Sequence, residues 1–194
     1  DTPVWLSGVA VNEAVELAST AIRYGQGPGT RLSYSGLANR DTLLVLACTG
    51  GHGDSKDNGV DSLDLTANTP TWTERKAPWA GPTWPTESNY YSTSPVEPSS
   101  RHTYNYTIWN AQLDRLMLYT TSVPYGNSSP EIPQATNGLS LDAWEFDAVG
   151  TYPATGGCMV QDSSGRGYAL NGFFSVQEFD PVANTVTDLA NFSG

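Results

Sequence analysis

Two apolar patterns dominate the chain: short stretches that alternate with polar residues, and short unbroken apolar runs closed by turn residues. Residues 31–39 (RLSYSGLAN) alternate, Arg40-Asp41 makes a turn, and TLLVLACTGG (42–51) is an unbroken run ended by two glycines. Alternation marks a half-buried strand, and an apolar run of this length bounded by glycines marks a strand buried on both faces. GVDSLDL (59–65) follows as a strand, then a turn around Asn68 and Pro70, then TWTERKA (71–77). Four short strands in succession predict one antiparallel unit.

The unit recurs. HTYNYTIWN (102–110), a turn at 112–115 and RLMLYTT (115–121) repeat the hairpin, and LSLDAWEFD (139–147) is expected to repeat the outer strand. A third, more compact copy runs through GGCMVQD, the turn SSGRG, YALNG and FFSVQEFDPVANTVTDLA (156–190). Self-similarity at this spacing identifies an array of stacked units rather than one sandwich. The expected division is an N-terminal segment (1–32), three blades (about 33–79, 101–150 and 155–194) and long loops at 80–100 and 122–138. Only the N-terminal segment has helical colour, in VNEAVELASTAI (11–22). Its apolar positions partly alternate as well, so helix and strand both stay open there.

Composition fits short strands and many turns. Charged residues make up 15% of the 194 residues, against 19 Gly, 13 Pro, 10 Tyr and 6 Trp. Hydrophobic residues reach 38%, enough for a core if aromatic side chains carry much of the burial. The net charge of −11, with 9 Lys plus Arg, argues against nucleic acid, because a phosphate backbone needs a basic stripe. No stretch approaches the roughly 18 apolar residues of a membrane helix. The chain opens on Asp1 with no charged-then-apolar leader, and is expected to have been processed, trimmed or only partly built. Cys48 and Cys158 lie in apolar runs and are expected as buried thiols, although a single distant pair leaves a disulfide open.

Several segments resemble kelch-type β-propellers of the broad galactose-oxidase-like group. They are Gly50-Gly51 after a buried strand, the strand GVDSLDL, Trp72 in TWTERKAP, and the hairpin opening SSRHTYNYTIWNAQLDRLMLYTT. FDPVANTVTDL is similar to the Asp-Pro turn of kelch blades, with Val186 where a Trp is usual. GGHGD (50–54) and PSSRHTYN (98–105) look like a bacterial and phage kelch-like group. The resemblance implies an all-β fold of about three four-stranded antiparallel blades within a larger propeller. Propellers close with four to eight blades. The expectation is therefore that more chain follows or that copies associate, as a homo-oligomer or an assembly.

Candidate chemistry lies in the segments between strands. His52 and His102 are the two histidines. With Arg101 and Tyr104 they form a plausible set for β-elimination from a uronic acid: Arg neutralises the carboxylate, His or Tyr takes the C5 proton, and Tyr protonates the leaving oxygen. The blander account is that the histidines bond backbone between blades. Asp54, Asp57, Asn58 and Asp61 offer oxygen ligands for Ca²⁺. Lys56 spoils an EF-hand match, and a solvated turn bending at Asn58-Gly59 explains the same residues. Trp79, Trp84, Tyr90 and Tyr91 suit stacking on sugar rings, or equally cover a blade edge or meet a partner subunit. No copper sphere of the galactose oxidase kind can be picked out. The leading expectation is a non-catalytic binding or structural module for a glycan or protein partner, extracellular, on a cell surface or in a virion. A polysaccharide lyase is the alternative.

Overall fold

The computed structural model describes residues 3–7, 9–10, 36–48, 58–78, 107–118, 135–151, 159–171, 175–180, 182–183 and 185–191. A short 3₁₀ turn, Val4–Leu6, precedes twelve strands. Sheet 1 comprises β1 (Ala38–Arg40), β2 (Leu43–Ala47), β3 (Val60–Asp64) and β4 (Trp72–Lys76). Sheet 2 comprises β5 (Thr107–Asn110), β6 (Arg115–Leu118), β7 (Ala135–Leu139) and β8 (Phe146–Thr151). Sheet 3 comprises β9 (Met159–Gln161), β10 (Gly167–Asn171), β11 (Ser175–Asp180) and β12 (Thr185–Asn191). In each sheet the strands lie in chain order, and every neighbouring pair is antiparallel. The fold is all-β, with three propeller-like blades. Among the described residues no helix is long and apolar enough to cross a membrane.

The register makes the repeat explicit. Leu63 pairs with Trp72, Leu139 with Phe146 and Phe179 with Val186. Two to three residues before Leu63, Leu139 and Phe179, each sheet carries the same irregularity between its last two strands: at Val60/Asp61, Thr136/Asn137 and Val176/Gln177. A bulge inserts one extra residue into an outer strand and sharpens its twist. Val186 therefore occupies the position of Trp72.

Side chains alternate across each strand, so each sheet has two faces. The front of sheet 2 carries Trp109, Leu116, Leu139 and Phe146, and its back carries Ile108 and Met117. The back of sheet 1 (Ala38, Val45, Ala47, Val60) packs on the front of sheet 2 (Leu116, Leu118, Leu139, Phe146), with Leu141 and Cys48 completing the cluster. The back of sheet 2 (Ile108, Met117) packs with Leu113 on the front of sheet 3 (Ala169, Phe179, Val186). The stacking has one sense, front on back, as in blades turning about a hub. β1 lies beside β5, and Gln161 of β9 donates its amide to the Trp109 carbonyl of β5 at 3.0 Å. The innermost strands thus follow one another in order.

Three local expectations need correction. LSLDAWEFD is not one outer strand: it holds the end of β7, a turn and the start of β8. Ser140 and Glu145 close that turn (Ser140 N–H to the Glu145 carbonyl, 2.9 Å), and the Trp144 N–H bonds the Ser140 carbonyl at 2.9 Å. Trp144 takes φ 57°, a conformation uncommon outside glycine, so no glycine or proline announces the turn. β7 begins at Ala135, inside the stretch expected as loop. Asn58 is fully buried rather than solvated.

Candidate functional site

Tight turns close one end of every sheet. Asp41-Thr42 joins β1 to β2, with Asp41 at φ 51°. Between β5 and β6, Asn110 folds its turn by accepting from the Gln112 and Leu113 N–H groups, both at 3.0 Å. Between β9 and β10, one Asp162 oxygen accepts from the Ser164 N–H (2.8 Å), the Ser164 hydroxyl (2.7 Å) and the Arg166 N–H (3.1 Å). Asp64 and Asp180 act in the same way on the following residues. Short polar side chains that bond backbone two or three residues on are the ordinary builders of such turns.

The turn ends of neighbouring sheets are joined. The Arg40 guanidinium lies 4.9 Å from the Trp109 ring centroid and 3.8 Å from Asp142. The buried Asn110 donates its amide to the Gly165 carbonyl at 2.8 Å. All three sets of turns therefore lie at one end of the stack, and the strands must exchange their remaining chain at the other.

That other end is where the longer connections leave. Residue 48 closes β2 and residue 58 precedes β3, and their backbones meet: the Cys48 N–H donates to the Gly59 carbonyl at 3.1 Å, and its thiol to the Asn58 carbonyl at 3.3 Å. Cys48 is fully buried and takes φ 51°. Thr107, at the start of β5, pairs with Leu118, which shares the core cluster with Cys48. The roots of residues 49–57, of residues 79–106 and of residues 119–134 thus lie at the loop end of adjacent sheets. The Thr107 hydroxyl there is buried and has no partner among the described residues.

Of the candidate residues, His52, Asp54, Asp57, Trp79, Trp84, Tyr90, Tyr91, Arg101, His102 and Tyr104 lie outside the described residues, as does Cys158. Asn58 and Asp61 are described, and both are buried. Asp61 sits in β3 opposite Leu46 and Glu74.

One polar network appears where sequence patterns gave no signal. On sheet 3, Tyr168 donates to Asp162 at 3.0 Å, and Arg166 bridges Glu178 (3.2 Å) and Asp180 (3.6 Å). Hydrogen bonds from Ser164, Tyr168 and Arg166 hold the Asp162 carboxyl below the usual range despite some desolvation. The bond to Asp162, with lesser help from burial and the nearby charges, pushes the Tyr168 phenol up to about 12. Such a phenol stays protonated and donates; it is no base at neutral pH. Pairs six to fourteen residues apart become legible only once the strand register is known.

In comparison with known proteins, the chain matches no protein-family model and no curated protein.

Proposed function

We propose that the chain is a kelch-like propeller module whose task is binding rather than catalysis, holding an aromatic segment toward a glycan or a protein partner. Trp79, Trp84, Tyr90 and Tyr91 are its contact residues, in an extracellular, cell-surface or virion setting. The observation that supports this most is the division of the stack into two ends: compact turns at one, and the roots of every long connection at the other. In repeat architectures, insertions gathered on one face serve as the binding surface. The charge of −11 suits neutral glycans. The test is a panel of neutral and acidic glycans titrated against the protein and its Trp79→Ala and Trp84→Ala variants. Loss of one stacking ring is expected to weaken binding roughly tenfold. Unchanged affinity in both variants removes the aromatic segment from the reading.

A second reading is supported by the shared root of two segments. Residues 49–57, holding His52, and the residues before Thr107, holding Arg101, His102 and Tyr104, spring from the same end of adjacent sheets. This is compatible with a polysaccharide lyase acting by β-elimination, with Arg101 on the carboxylate and a histidine or Tyr104 on the C5 proton. A rise in the ultraviolet absorbance of unsaturated uronates, abolished in His52→Ala and His102→Ala, is the expected signature. No rise with any acidic glycan rejects it.

A further inference from the structure

We draw no further inference here: the strongest candidate, the back face of sheet 3, where exposed Val160 lies beside the Tyr168–Asp162 hydrogen bond and the ion pairs of Arg166 with Glu178 and Asp180, carries nothing, because its polar groups bond one another and nothing in the structure shows what covers the face.

Discussion

The two junctions in the stack are built from different materials. Between sheets 1 and 2 a broad cluster of Val45, Ala47, Val60, Leu116, Leu118, Leu139, Leu141 and Phe146 is framed by two arginine–tryptophan stacks, Arg40 on Trp109 and Arg75 on Trp144 at 5.0 Å. Arg75 is steadied by the Ser62 hydroxyl at 2.8 Å. Between sheets 2 and 3 the buried apolar set among the described residues is Met117, Ala169 and Phe179 with partly buried neighbours. Amides take over the rest: Asn110 reaches Gly165 and Gln161 reaches Trp109 across the junction, while Gln177 is tied within sheet 3 to Asp188 at 2.8 Å. The carbonyl oxygens of Gln161 and Gln177 are buried without partners among the described residues. Apolar burial scales with area, and a buried polar atom left unpaired costs free energy. On the described residues the junction of sheets 2 and 3 is the less apolar of the two, and sheet 3 is the blade expected to detach first.

The sharpest way to break this comparison is to empty each junction in turn. Phe179→Ala should cost about 3–5 kcal/mol and Leu116→Ala about 2–5 kcal/mol. Their patterns should differ. Hydrogen exchange in Phe179→Ala is expected to lose protection across 167–191 while sheets 1 and 2 keep theirs, whereas Leu116→Ala weakens all three sheets together. Equal loss everywhere in both variants would show that the junctions are not distinct.

Asn110→Ala comes next. Its amide both folds a turn and carries a link to sheet 3, so its loss should cost roughly 2–3 kcal/mol by denaturant unfolding. Smaller still is Gly165→Ala. Gly165 sits at φ 82°, and an added Cβ would approach both amide atoms of Asn110 to 3.2 Å. Backbone strain and this contact together should cost about 1–2 kcal/mol, and the Asn110→Ala background should relieve the steric part, which a double-mutant cycle measures.

The smallest effect is on pH. The folded Asp162 carboxyl titrates below its ordinary value near 3.8, chiefly through the Ser164 hydroxyl. A depressed value means that its contribution is complete above the unfolded pKa and fades as pH falls through the folded one. Acidification below about pH 4 should therefore loosen the β9–β10 turn, as seen in the amide shifts of Ser164 and Arg166. Asp162→Asn should abolish that response, and a response that persists would assign it elsewhere.

Much of the blade architecture was legible in the chain. TLLVLACTGG announced a strand buried on both faces, and Val45, Leu46 and Ala47 are buried in succession. The hairpins around residues 41, 112 and 164 followed from strand patterns and turn residues. The turn inside LSLDAWEFD was hidden because Trp144, a bulky residue, takes the left-handed conformation itself. Asn58-Gly59 read as a solvent-facing bend because that dipeptide usually makes one. Here the thiol and the N–H of Cys48 draw the Asn58 and Gly59 carbonyls inward, contacts between residues ten and eleven apart that no local pattern encodes. The candidate sites were legible only as residue types, since aromatic and histidine-bearing segments carry no periodicity that fixes their mutual placement.

The irregularity shared by all three sheets also bears on how such a chain avoids clumping. A straight, regular outer strand offers a continuous row of free backbone groups to any passing neighbour. β12 is long and carries a single charge, Asp188, so its defence is the misfit near Leu189, where the ladder to β11 skips. Deleting that one residue would flatten the border of the blade and leave a template on which strands from other molecules could add without end.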